Sequence, residues 1–363
     1  MLIIILIPLA CLLVLGGILV FWSYPGKPTP FVDTKGRPLA GSLSEKIRVD
    51  INGVKQGIFI KSRDINHPVL LFLHGGPGMP EYFLTRKYPT GLEEDFTVAW
   101  WDRRGAGLSY SPRIPRETMT VEQSIADTLA VTQYLQQRFG QKKIYLLAHS
   151  GGSFIGIQAA ARAPELYQAY LGMAQMAYQI QSEKLAYDYM LQQFKANRDT
   201  RMVRKLEEAP VTLRVPLPPS YAAARDEAMH KLGVGTTRDM KSVVTGIFLP
   251  SWRFPEYTLR EKINLWRGKL FSHAILWDEM IATDLTQKVM TLNLPVYFLH
   301  GRYDYTCSYP LAKAYFAQLA APLKGFYTFE QSAHSPFFEE PEKMRRILRE
   351  DVLAGTNRLA DAS

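Results

Sequence analysis

Residues Leu146–Phe154 read LLAHSGGSF: an apolar run stops at His149 and Ser150, two glycines follow, and the chain turns apolar again. A strand buried on both faces that ends in such a corner fits a parallel sheet, where a sharp strand-to-helix turn projects one hydroxyl. That turn crowds the positions two before and two after the serine, so both must be small. Here they are Ala148 and Gly152. The turn also sets Ser150 at the N-terminus of the next helix, whose free N–H groups favour negative charge.

Outward from this corner, strand and helix alternate. Ser44–Ile51 and Gly57–Arg63, joined through Asn52-Gly53, read as a hairpin. PVLLFLHGGPG (Pro68–Gly78) and FTVAWWDRRGAG (Phe96–Gly107) are apolar runs that end in glycine loops, as does KKIYLLAHS (Lys142–Ser150). Thr120–Phe139 has helical spacing, with Thr120 as N-cap and Gln123 expected to complete a capping box. A second helix is expected from about Gly152 to Arg162. The alternation breaks near Ala177, and the pattern is helical to about Met290 apart from a proline-rich connector, APVTLRVPLPPS (Ala209–Ser220). It resumes with LPVYFLHGRYD (Leu294–Asp304), a helix from about Tyr309, the strand GFYTFE (Gly325–Glu330) and a final helix after Pro341. The class is α/β with a mostly parallel sheet. An insertion of roughly 110 residues is too long for a plain loop and reads as a helical lid.

A serine hydroxyl needs a base, and the base an orienting carboxylate. On such a sheet the chain order is Ser, then Asp or Glu, then His, each after a strand. Asp304 and His334 occupy those places behind Ser150. The oxyanion of acyl transfer needs main-chain donors. The N–H of Gly151 supplies one, and HGGPG (His74–Gly78) the other through Gly76, with Gly75 as the other candidate. His149 is expected to point away from Ser150 and pack, Asp102 and Arg104 to brace their loop as ion partners, and His300 to shape the Asp304 loop. Ser109 lacks the small +2 residue. The lid aromatics Phe248, Trp252, Phe254, Trp266, Phe271 and Trp277 read as helix core, or as substrate contacts if they face a pocket.

Taken in order, HGGPG, WDRRGAGLS (Trp101–Ser109), AHSGGS (Ala148–Ser153), GRYD (Gly301–Asp304) and SAHSPF (Ser332–Phe337) resemble the α/β-hydrolase superfamily, and within it the proline iminopeptidase group. The resemblance covers about Lys46–Ala174 and Leu294–Leu353. It implies an α/β-hydrolase fold with helices on both sheet faces and an inserted lid. It also implies a Ser150–His334–Asp304 hydrolase of amides or esters, most nearly an aminopeptidase. An esterase of apolar esters and a non-catalytic binding protein on the same scaffold are the alternatives. Two departures stand out: Ala148 replaces the usual glycine, and Gly151 stands where iminopeptidases often carry a bulky residue. The lid motifs that hold a substrate amine in iminopeptidases are not recognisable. Glu183, Asp188, Asp278 and Glu279 are the acidic candidates, and Gly75, Trp277 and Glu279 the candidate substrate contacts. No cofactor or metal is implied, and the substrate is a small molecule or short peptide.

The chain has 363 residues, 47% hydrophobic and 21% charged, with a formal net charge of +9. The basic residues are dispersed and no nucleic-acid motif accompanies them, which argues against nucleic acid as a partner. Of the two cysteines, Cys11 falls in the apolar N-terminus and Cys307 does not, so no intrachain disulfide is expected. Met1–Trp22 carries no charged side chain. As a helix it would rise about 33 Å, enough for a bilayer core, with Trp22 and Tyr24 at the interface. A cleaved signal peptide is the rival, disfavoured by the missing basic n-region and cleavage site. The expected organisation is an anchor helix over 1–24 making a single-pass membrane protein, a linker over 25–43, hydrolase core over 44–175, a lid over 176–291, core again over 292–357, and a tail over 358–363. Lys27, Lys35 and Arg37 are too few to fix the membrane side, and nothing indicates the oligomeric state.

Overall fold

In β3 (Val69–Leu73) every residue is buried, and successive side chains enter opposite cores. Val69, Leu71 and Leu73 pack with one cluster, Leu70 and Phe72 with the other. This two-sided burial places β3 in the middle of a sheet, and the computed structural model, which describes residues 16–362, shows eight strands around it. With β1 (Leu43–Ile51), β2 (Val54–Ser62), β4 (Thr97–Asp102), β5 (Ile144–His149), β6 (Tyr167–Met173), β7 (Val296–Gly301) and β8 (Lys324–Phe329), the order is β1-β2-β4-β3-β5-β6-β7-β8. β1 and β2 form an antiparallel hairpin closed by Asn52 and Gly53, both at positive φ, as its two-residue turn demands. β2 is antiparallel to β4, and from β4 to β8 all neighbours are parallel.

Helices α1 (Val121–Phe139), α2 (Gly151–Arg162) and α9 (Tyr309–Gln318) contribute to one core, and α10 (Pro336–Glu339) and α11 (Pro341–Ile347) to the other. Between β6 and β7 lie α3 (Gln179–Ala196), α4 (Thr200–Glu207), α5 (Pro219–Leu232), α6 (Leu249–Arg253), α7 (Leu259–Ala282) and α8 (Leu285–Lys288). The first three share a core of their own, including Met190, Phe194, Leu206, Tyr221 and Met229.

Thr120 caps α1 by accepting the Gln123 N–H at 3.0 Å, but the expected reciprocal box does not form. The Gln123 side chain instead donates to Asp127 at 2.7 Å. Asp127 is a buried hub. It also accepts from Asn52 in the hairpin turn (2.8 Å), Gln56 of β2 (2.7 Å) and Arg104 after β4 (2.7 Å).

The expected membrane anchor is corrected here. Residues 1–15 of it lie outside the described residues. Residues 16–22 are helical. Among the described residues no helix is long and apolar enough to cross a membrane. Trp22, expected at a lipid interface, meets protein instead. Its carbonyl accepts from Lys262 on α7 at 2.7 Å, and the Arg253 guanidinium lies 5.3 Å from its ring. The single-pass helix and the membrane location drawn from it are not supported.

These contacts set the expected cost of two substitutions. Removing the Asp127 carboxylate (Asp127→Ala) strands a buried guanidinium and lowers unfolding free energy by about 3–5 kcal/mol in urea denaturation. A Cβ on Gly156 would lie 2.6 Å from the Ala148 Cβ, so the missing side chain at 156 is what admits the extra methyl at 148. Gly156→Ala alone should cost about 1–3 kcal/mol, and adding Ala148→Gly should recover most of it.

Candidate active site

β5 delivers its last residue, His149, to the sheet edge, and α2 begins at Gly151. Ser150 between them has φ 55° and ψ −125°, a conformation that costs about 1–3 kcal/mol for a side-chain-bearing residue. Three bonds hold it there. Its N–H donates to the Met173 carbonyl (3.0 Å), and its carbonyl accepts from the Ser153 N–H (2.8 Å) and hydroxyl (2.6 Å). A Cβ on Gly151 would sit 1.7 Å from the Gly76 carbonyl oxygen, so the loop after β3 can close on the elbow only with glycine at 151.

The loops after β7 and β8 bring Asp304 and His334 to the same corner. His334 Nε2 lies 2.8 Å from Ser150 Oγ, and His334 Nδ1 lies 2.9 Å from Asp304 Oδ2. A carboxylate can only accept, so Nδ1 carries the proton and Nε2 is free to accept from the serine hydroxyl. Asp304 also accepts the N–H groups of Thr306 (2.8 Å) and Cys307 (2.9 Å). Burial pushes its carboxyl up, but the neighbouring His334 and His300 outweigh that and hold it far below the usual carboxylate range. His300 donates to the Cys307 carbonyl at 2.7 Å, which fixes the bend of the Asp304 loop. Burial lowers the His334 imidazole below its ordinary 6.5, and the neighbouring Asp304 offsets this only in part.

The loop after β3 is held from behind. Arg103 donates to the carbonyls of His74 (3.0 Å) and Gly75 (3.4 Å), and its own N–H reaches His74 Nε2 at 3.1 Å. Gly75 is excluded as a free donor, because its N–H is bound to Glu81 at 3.0 Å. Among the described residues no protein acceptor takes the N–H of Gly76 or Gly151.

Other expectations shift. Asp102 and Arg104 do brace loops, but not as a pair: Arg104 is bound to Asp127, and Asp102 accepts the Leu108 N–H at 2.7 Å. Among the described residues Asp102 makes no ion pair, and burial outweighs the charges of Arg48 and Lys46 and drives it up to about 8. Ser109 is structural, accepting the Gly57 N–H at 2.7 Å. His149 does turn away from Ser150, yet it does more than pack. Its Nδ1 lies 2.8 Å from Glu81 and its Nε2 2.8 Å from the His334 carbonyl. Glu81 was not legible in the sequence, since no motif marks it; only its place just beyond HGGPG could have drawn notice.

Ser150 opens on a cavity of about 540 Å³ roofed by the helical insertion. Of the candidate contacts, Trp277 lines it and Glu279 does not. The two are two residues apart on α7 and cannot face the same side, and Glu279 is exposed. Glu183 and Asp278 line the cavity, whereas Asp188 is paired with Lys184 outside it. Glu183 is fully buried and committed to Arg225 (2.7 and 2.9 Å). The remaining named aromatics lie away from the cavity, with Phe254 buried against Tyr82 and Tyr257. Among the described residues no cluster of side chains could hold a metal ion.

Comparison with known proteins agrees with this architecture. A family model described as alpha/beta hydrolase fold matches residues 68–341. The Bacillus subtilis (strain 168) protein named probable aminopeptidase YbaC is 32% identical over 315 residues, which is 86% of this chain and 97% of that protein. Among solved structures, a proline iminopeptidase-related protein from Thermus thermophilus superposes with TM-score 0.57 at 22% identity, covering 86% of this chain and 98% of that one. A proline iminopeptidase from Mycobacterium smegmatis superposes with TM-score 0.61 at 15% identity, covering 85% and 98%. Motifs, sheet order and matched span agree: the chain belongs to the α/β-hydrolase family and is a hydrolase.

Proposed function

We propose that the protein is a serine hydrolase that cleaves an amide or ester through an acyl-enzyme, acting as an aminopeptidase of the proline iminopeptidase kind on short peptides or aminoacyl amides. The observation that carries this is the continuous chain Asp304–His334–Ser150, whose Ser150 and His334 line the cavity under the helical insertion. As Ser150 Oγ attacks the carbonyl carbon, His334 Nε2 takes its proton. Asp304 remains a carboxylate and stabilises the imidazolium. The N–H groups of Gly76 and Gly151 hold the oxyanion, a contribution typically worth a hundredfold or more in rate. The imidazolium then hands its proton to the departing nitrogen or oxygen. Water, deprotonated by His334, releases the acyl group and restores the serine.

The peptidase reading draws on the relative named as an aminopeptidase. A second reading, an esterase, draws on the wall of the cavity, where Met79, Leu84, Leu217, Ile247, Leu270 and Phe338 present apolar surface. A panel of aminoacyl arylamides and short acyl esters separates the two. Under the peptidase reading kcat/KM is higher for free-amine arylamides than for their N-acetylated forms. Equal or better turnover of plain esters supports the esterase. Absence of turnover across the panel supports a binding protein on the same scaffold.

Two further outcomes are expected with whichever substrate is turned over. Ser150→Ala lowers kcat by about a thousandfold or more, and Asp304→Asn by about ten-thousandfold. The acid limb of kcat/KM reports the free His334, whose imidazole burial has lowered, so its midpoint falls below 6.5; a midpoint above 6.5 contradicts the assignment.

A further inference from the structure

Glu81 and His149 form a second buried polar chain beside the proposed catalytic one. Glu81 Oε1 accepts the Gly75 N–H at 3.0 Å, and its carboxylate receives His149 Nδ1 at 2.8 and 2.9 Å. His149 Nε2 then reaches the main-chain carbonyl of His334 at 2.8 Å. Both ring nitrogens face oxygens; with Glu81 ionised both donate, and the ring is an imidazolium against a carboxylate. Burial disfavours that charge, but Glu81 and the His334 carbonyl prevail and hold the imidazole above its ordinary value.

We propose that the Glu81–His149 ion pair is a positioning element for acyl transfer, clamping the oxyanion loop at Gly75 to the main chain of the general base at His334. The inference rests on the serine-hydrolase reading above. The two segments it joins carry the two groups that must meet the substrate carbonyl together: the Gly76 N–H, one residue beyond the clamped Gly75, and the His334 ring. The space a side chain at 75 would fill lies 2.8 Å from Glu81 Oε1 and 3.4 Å from Ser150 Oγ, so the clamp lies beside the reacting atoms, in the wall of the cavity. The His149 and His334 rings are 4.8 Å apart, close enough for the imidazolium charge to act on the base. Among the described residues the other charged or titratable groups facing this cluster are His300 at the end of β7 and Asp304 in the loop after it, His74 and Arg103 behind the oxyanion loop, and Glu339 on α10 beneath the His334 loop.

The amide of glutamine can keep every bond of this chain. Its oxygen accepts the Gly75 N–H, and its NH₂ donates to a neutral His149 whose Nε2–H still reaches His334. Turnover by the wild type and its loss in Ser150→Ala first establish the parent reading; if they fail, that reading fails, and not the clamp specifically. Given turnover, Glu81→Ala should lower kcat about ten- to a hundredfold with KM within about threefold, and Glu81→Gln should recover most of the loss. His149→Ala removes a cation and leaves an anion near His334, so its acid limb should move to higher pH by about half a unit or more. Two results overturn the proposal: kcat and the acid limb unchanged in folded variants, or a KM rise at constant kcat, which would make Glu81 a substrate contact. The Glu81 pair decides the question even if His149→Ala does not fold.

Discussion

The site depends on one strained residue. Ser150 sits at φ 55° because β5 must stop and α2 must start within a single residue, and the surrounding packing is arranged around that demand. Gly151 lets the Gly76 carbonyl approach, Gly156 makes room for the methyl of Ala148, and Ser153 and Met173 hold the Ser150 main chain in place. Each is a small residue or a main-chain bond, which is what a turn with no spare volume permits.

Around that turn the chain manages buried charge by pairing. Asp304 is held ionised by two histidines and two main-chain donors. Glu183 is matched to Arg225 in the roof, and Arg104 to Asp127 at the junction of hairpin and helix. Asp102 makes no such ion pair among the described residues, and burial raises its carboxyl. The Glu81–His149 pair follows the same pattern of matched charge, but it differs in joining the Gly75 and His334 loops, which both border Ser150.

What the sequence made legible follows from what the backbone must do. Small residues flanking Ser150, glycines in HGGPG, Asn52-Gly53 in the hairpin and continuous apolar strands are local requirements, and a local requirement leaves a local trace. Asp304 and His334 are expected beside Ser150 because the fold prescribes a chain order and strand-end loops, and the three side chains lie within hydrogen-bond distance. Partnerships between side chains from distant segments leave no trace of that kind. Asp102 and Arg104, two residues apart, invited a pairing that the structure replaces with Leu108 and Asp127. Gln123 stands where a capping box wants it and turns to Asp127 instead. His149 read as packing because its partners, Glu81 and the His334 carbonyl, are remote in sequence. The apolar N-terminus looked like a span by composition, but composition does not show that Lys262 and Arg253 meet Trp22.

The central claim is that the Ser150 hydroxyl is made nucleophilic by the His334 ring. Reaction with a fluorophosphonate, followed by intact mass and peptide mapping across pH, tests it most directly. The account predicts one adduct, on Ser150, formed at a rate that falls as His334 becomes protonated, and none in Ser150→Ala. An adduct on another residue, or a Ser150 left unmodified in folded protein at neutral pH, would contradict it.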